Sequence, residues 1–182
     1  MEEKVKFMRA ALRRAEKGLA EGEVPVGAVV VYAGKIVGSG YNRRARTQLA
    51  SSHAEMYAID RACKKLKSWR LEDCDLYVTL EPCPMCMGAA LNARIRKVYF
   101  GAYEQKGRSM TKELAASNLL NHTVEVEGGV LEEECSQILS GFFRAMRERT
   151  AAKKRAEGEP ADGRGALCGA EEICGHGRET VD

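Results

Sequence analysis

The chain opens on a helical period. Between Lys4 and Ala20, the residues Val5, Met8, Ala11, Leu12, Ala15 and Leu19 fall on one face with charged positions between them, which predicts an amphipathic helix. Gly22 lies just beyond it as a stop. The pattern then changes. Val26 to Tyr32 is a β-branched run, and Ile36-Val37-Gly38 resumes after Ala33-Gly34-Lys35, as in a hairpin. Residues 42–50 are polar and aperiodic and read as a loop. A second helical pattern starts around Ser52-His53-Ala54-Glu55 and runs to Leu66. After it the spacing predicts a strand over 75–80, a short helix over 82–92 with Pro84 in its first turn, and a strand over 97–102. A helix over 110–120, a strand over 124–127 and a long helix over 132–150 complete the series.

The order is therefore α-β-β-α-β-α-β-α-β-α. Strands alternating with helices predict an α/β fold, a sheet covered on both faces. The pattern stops near residue 156. Residues 156–182 hold six glycines, one proline and seven acids against two bases, with few large apolar side chains. Such a stretch cannot repay the entropy of ordering. We expect one domain over residues 1–155 and a disordered acidic tail over 156–182.

Composition narrows the class. With 45% apolar residues the chain can bury a core, and no apolar run approaches the ~20 residues of a membrane span. The N-terminal segment has no continuous apolar stretch of the kind that marks a secretory signal. Seven cysteines, two of them in a Cys-x-x-Cys, read as reduced thiols with a metal site rather than as a disulfide framework. The cytoplasm is the expected compartment. Residues 1–155 carry 27 bases and 19 acids, a balance of +8. A basic domain points weakly to nucleic acid, and ordinary solubility charge explains it as well.

Two short motifs carry chemistry: His53-Ala54-Glu55 and Pro82-Cys83-Pro84-Met85-Cys86. Both fall at predicted helix starts. Two cysteines three apart at a helix start can place both sulfurs on one metal, and helix N-termini favour the thiolate form. A catalytic zinc takes three protein ligands and keeps one position open for water, and His53, Cys83 and Cys86 supply three. Glu55, two residues after His53, can then shuttle a proton without ligating the metal. The reaction class that this arrangement would imply is hydrolytic deamination.

Each motif also has a plainer reading. Ser52-x-x-Glu55 is a capping box in form. Cys-x-x-Cys serves structural zinc and redox pairs, for which Cys63, Cys74 or His122 could be a fourth ligand. A thioredoxin-like site would leave His53 and Glu55 without a role.

The His-x-Glu and Pro-Cys-x-x-Cys pair is the signature of zinc-dependent nucleobase deaminases. The chain most resembles the bacterial tRNA adenosine deaminases of that superfamily. The resembling stretches are 21–28 and the valines 29–31, His53-Ala54-Glu55, 68–72, 76–83, Asn121-His122 and Gly141-Phe142-Phe143-Arg144. They reach from the first helix to about Arg149.

The resemblance implies a cytidine-deaminase-like three-layer α/β/α sandwich, with a central mixed sheet of about five strands. It implies a homodimer with one zinc per subunit, bound by His53, Cys83 and Cys86, and Glu55 as the proton shuttle. The substrate would be the anticodon arm of a tRNA, of the arginine type, whose wobble adenosine flips into the pocket and leaves as inosine. Asn42 would hydrogen-bond the flipped base, with Val26 and Ala54 in the pocket. A loop asparagine capping a strand end, and a proline-led strand entry at Val24-Pro25-Val26, account for some of these residues equally well.

RNA loops are read by stacking on aromatics with cations on the phosphates. Lys106, Arg108, Phe142, Arg144, Arg147 and Arg149 fit that description. The plainer reading puts Phe142 and Phe143 in the core and the arginines at a helix C-terminus. The stretch 103–110 departs from the family's Asp-x-Lys and later Gly-Ser-Leu pattern, keeping Lys106, and so touches the detail of substrate contact. A free-base or nucleotide deaminase of guanine or cytosine type is the alternative activity. A non-enzymatic RNA scaffold would be expected to have lost the shuttle or a ligand, and neither is lost here.

Overall fold

The valines of the hairpin alternate between two cores. In the computed structural model, described over residues 2–104, 111–117 and 121–156, Ala28 and Val30 face one apolar cluster and Val29 and Val31 face another. This period of two places a sheet between two helical layers. The elements are α1 (Glu2–Ala20), β1 (Gly27–Tyr32), β2 (Lys35–Tyr41), α2 (Arg44–Thr47), α3 (Ala54–Leu66), β3 (Cys74–Leu80), α4 (Pro84–Asn92), β4 (Lys97–Ala102), α5 (Thr111–Ala116), β5 (Glu125–Glu127) and α6 (Glu132–Ala156).

The five strands form one mixed sheet in the order β2-β1-β3-β4-β5. β1 pairs antiparallel with β2 and β3, while β3, β4 and β5 run parallel. Parallel neighbours need crossovers, and α4 and α5 supply them. Ala54, Ala58 and Ile59 of α3, Met87 and Leu91 of α4 and Ala115 of α5 cover one face with Leu76, Val78 and Val98. Phe7, Met8 and Leu12 of α1 and Cys135 and Leu139 of α6 cover the other with Tyr77 and Tyr99, whose rings stack at 4.6 Å. The arrangement is the cytidine-deaminase-like sandwich that the resemblance implies.

Local chemistry explains the joints. The hairpin turns on Ala33 and Gly34, both at positive φ, the two-residue turn whose twist suits the flanking strands. Gly40 of β2 lets α3 approach, because a Cβ there would lie 2.3 Å from the Ala54 carbonyl oxygen. The seat of α3 on β2 therefore depends on a residue without a side chain.

Three features differ from the sequence reading. The stretch 42–50 contains a helical turn, α2, because the carboxylate of Glu23 accepts from the backbone N–H groups of Ala45 and Arg46 at 3.0 and 2.8 Å. No local period could reveal a cap supplied from twenty residues upstream. The long helix continues past Thr150 to Ala156, with acids in its first turn and bases in its last, as the helix dipole favours. The helix expected over 110–120 is present as Thr111–Ala116. Met110, residues 118–120 and the tail from 157 onward lie outside the described residues.

Two compact units divide the chain, residues 1–146 and 147–182. Of the second, the described residues are 147–156, helical and exposed throughout. Among the described residues no helix is long and apolar enough to cross a membrane.

Candidate metal centre and active site

Both motifs start helices, and both do so at the position that flanks the first turn. His53 is the N-cap of α3 and Cys83 the N-cap of α4, each with extended backbone and no side-chain cap bond. Pro84 follows at the first helical position, where its missing N–H costs nothing. Cys86 therefore stands in the first turn of α4, and Glu55 in the first turn of α3. β3 delivers the chain to Cys83 at its C-terminal end, the edge where open α/β sheets gather their ligands.

The donor atoms of His53, Cys83 and Cys86 lie within 4.8 Å of one another. The Nδ1 atom of His53 is 3.6 Å from Cys83 Sγ and 3.5 Å from Cys86 Sγ. A tetrahedral zinc, with bonds of about 2.3 Å to sulfur and about 2.0–2.1 Å to nitrogen, separates sulfur from nitrogen by about 3.5 Å. The three residues fit such an ion in both donor type and spacing. Cys63, Cys74 and His122 are not in this group. His122 instead meets the carbonyl of Ile95 at 2.8 Å, and among the described residues none of these three joins the cluster as a fourth ligand.

The site's electrostatics follow from crowding. A hydrogen bond from Cys86 and another from His53 hold the Cys83 thiol down to about 4. Cys86, bonded to that thiolate and buried, is pushed far up. His53 is raised, first by its hydrogen bond with Cys83, against a lowering from burial. Metal binding at such a cluster requires the thiols as thiolates and the imidazole neutral, so it would release protons.

Glu55 is 4% exposed, and its Oε2 has no hydrogen-bond partner among the described residues. Burial pushes its carboxyl above the usual range, while the charge of His53 opposes this. A carboxyl that burial makes harder to ionise, with one oxygen left unpartnered, is suited to taking up and giving back protons. The capping-box reading of Ser52 and Glu55 does not hold. Ser52 Oγ lies 2.7 Å from Thr47 Oγ1 and 3.1 Å from the Tyr57 hydroxyl, and α3 has no side-chain cap.

Asn42 directly follows β2 and is 8% exposed. Its backbone N–H donates to the Val26 carbonyl at 3.0 Å, and the N–H of Arg43 donates to the carbonyl of Ser52, the residue before His53. Val26 is partly buried against both cores and Ala54 is fully buried at the start of α3. Phe142 and Phe143 meet edge to face at 5.4 Å, but neither belongs to a core cluster, and Phe143 is 37% exposed. Arg144, Arg147 and Arg149 are exposed on α6. Lys106 and Arg108 lie outside the described residues.

Sequence reasoning missed two residues here. Arg43 stacks on the rings of Tyr41 and Tyr57, at 4.4 and 5.2 Å, and donates to the Tyr41 hydroxyl at 2.9 Å. Glu23 is buried behind Asn42. Its one signal was an acid set directly before the apolar Val24-Pro25-Val26.

A mixed sheet with a histidine and two cysteines converging from two helix starts, and a buried glutamate beside them, defines a deaminase of the cytidine-deaminase type. The chain belongs to the MafB19-like deaminase family, whose profile matches residues 2–147. It is 47% identical over 151 residues to the tRNA-specific adenosine deaminase of Bacillus subtilis (strain 168), covering 82% of this chain and 94% of that protein. It is 44% identical over 152 residues to the enzyme of the same name from Haemophilus influenzae, covering 82% and 88%. Among solved structures it resembles, with a TM-score of 0.68 and 38% identity, a chain from a study of A-to-I editing by tRNA:A34 deaminases at the wobble position, covering 74% of this chain and 99% of that one. A guanine deaminase from Nitrosomonas europaea shares the fold at 22% identity and a TM-score of 0.66, covering 76% and 83%.

Proposed function

We propose that the protein is a tRNA adenosine deaminase that converts the wobble adenosine of an anticodon to inosine. The observation that carries the chemistry is the convergence of His53, Cys83 and Cys86 within 4.8 Å, beside the buried, unpartnered Oε2 of Glu55. The relatives named for tRNA-specific adenosine deamination, matching over four-fifths of the chain, support the substrate.

His53, Cys83 and Cys86 hold one zinc ion. Bound there, zinc acidifies water and so supplies a nucleophile at neutral pH. Glu55 takes a proton from the water that attacks C6 of adenine, through Oε2, and passes it to ring nitrogen N1. A second proton moves by the same carboxylate to the leaving amine. The C6–N6 bond breaks, ammonia departs, and water has become the 6-oxo group of inosine. Burial, by raising the carboxyl of Glu55, brings its proton affinity closer to that of the groups it serves.

The target base must leave its stack to reach such a pocket, and RNA loops offer bases already unstacked. Asn42 hydrogen-bonds the flipped base, and Val26 and Ala54 line its pocket. Lys106, Arg108, Phe142, Arg144, Arg147 and Arg149 contact the anticodon arm. An arginine tRNA, a homodimer and a cytoplasmic location complete the reading. Its test is inosine formation in an anticodon stem-loop, with free bases offered in parallel.

A further inference from the structure

Glu23 is 2% exposed and lies between α1 and β1, away from either chemical motif. A carboxylate buried so fully needs partners, and Glu23 has three donors. Its Oε1 accepts from the backbone N–H of Arg46 at 2.8 Å. Its Oε2 accepts from the backbone N–H of Ala45 at 3.0 Å and from Nδ2 of Asn42 at 3.4 Å.

The backbone of Asn42 is already fixed without Glu23. Its own N–H bonds to Val26, and the next N–H bonds to Ser52. The neighbouring Glu21 fastens the same stretch from outside, accepting from the Tyr41 hydroxyl at 2.8 Å and pairing with Arg46 at 3.1 Å. What remains free is the rotation of the Asn42 amide. An amide plane has two orientations, with nitrogen and oxygen exchanged. A carboxylate accepts and does not donate, so only the orientation with the amide nitrogen toward Glu23 makes a bond. The reverse would set two oxygens against each other.

We infer that Glu23 is a positioning residue, which locks the Asn42 side-chain amide with Nδ2 inward and leaves Oδ1 and one N–H to read the base. This rests on the reading of Asn42 as the base contact. An unlocked amide offers the base a donor in place of an acceptor for part of the time, which weakens discrimination as well as rate. The hydrogen bonds to Ala45 and Arg46 serve the same end, because they hold the carboxylate still.

The test is a double-mutant cycle on the zinc-loaded enzyme, with an anticodon stem-loop carrying a wobble adenosine. The variants are Glu23→Gln, Asn42→Ala and the pair, with zinc content and melting temperature measured on each. Glu23→Gln should lower kcat/KM about tenfold or more while zinc remains at one per chain. In the Asn42→Ala background the same change should cost less than twofold, since there is no amide left to orient. If Glu23→Gln fails to fold, Glu23→Asp takes its place in the cycle. Losses that multiply, or a lowered melting temperature with unchanged kcat/KM, would overturn the inference and leave Glu23 a structural cap of α2. An Asn42→Ala enzyme with full activity would instead overturn the reading of Asn42 itself.

Discussion

The sulfur of Cys86 stands 3.5 Å from Nδ1 of His53, although 33 positions separate them in the chain. Both stand at helix starts. His53 occupies the N-cap position of α3, which is seated on Gly40 of β2, and Cys86 lies in the first turn of α4, which β3 delivers. The fold thus spends two helix N-termini on one cluster of donors, where their dipoles favour negative sulfur.

Zinc should depend on that pairing. Cys86→Ala removes one of three donors at a site where alanine is small and apolar enough to be buried. The variant should keep its circular dichroism and lose stoichiometric zinc. Chelation should lower the melting temperature of the parent protein and leave the variant's unchanged, since binding to the folded state is a source of stability. Full zinc content in Cys86→Ala would take Cys86 out of the ligand set.

Glu55 should matter to turnover and not to metal. Glu55→Ala should retain one zinc per chain and a normal fold, while deamination falls by roughly 10²–10⁴-fold, the range of general acid–base catalysis. Removing a buried carboxyl without a partner for Oε2 also removes a desolvation cost, so stability should not drop. Turnover near the parent rate would remove Glu55 from the mechanism.

The arginines of α6 should act through phosphate. Arg144→Ala and Arg147→Ala should each weaken stem-loop binding and flatten its dependence on salt. Each lost phosphate contact reduces the slope of log K against log salt by about 0.7 for a single strand. Zinc content should be unchanged. Equal affinity across a salt series would return both side chains to ordinary surface.

A pH-dependent tie joins α1 to the sheet edge. Lys4 contacts both oxygens of Glu127 at 2.6 and 2.9 Å, and Lys97 reaches it at 3.2 Å. Lys4 first, then Lys97, hold the Glu127 carboxyl below its usual range. A carboxyl lowered on folding stabilises above its unfolded pKa and loses that contribution as pH falls through the folded value. The Lys4 and Glu127 side chains are each more than a third exposed, so solvent screening limits the effect to about 0.5 kcal/mol. Glu127→Gln should lower the melting temperature by about 2 °C at pH 7, and the gap should narrow as pH falls below the ordinary glutamate range of about 4.3 and in high salt. A gap of equal size at pH 3 would contradict this.

The alternation of Ala28 to Val31 and the spacing of Val5 to Leu19 were sufficient to place the sheet and its first helix, because burial on two faces imposes those periods directly. The donors of the metal cluster were legible for a related reason. Their residue types are rare, and a helix start constrains what lies three positions apart. What was illegible depends on distant partners. α2 is four residues long and capped by Glu23, and the burial of Glu23 has no local signature. Ser52 fits a capping box in sequence, yet its hydroxyl is engaged by Thr47 and Tyr57. The two phenylalanines of α6 read as core by type, but they lie outside both clusters.

The central claim is a reaction at one atom of one base. Purified zinc-loaded protein should be incubated with an anticodon stem-loop carrying a wobble adenosine, and the RNA sequenced for inosine, with free adenine, guanine and cytosine in parallel reactions. The account predicts inosine at the wobble position, and no ammonia from the free bases. Ammonia from a free base with the RNA untouched would contradict it and make the protein a base deaminase on the same fold.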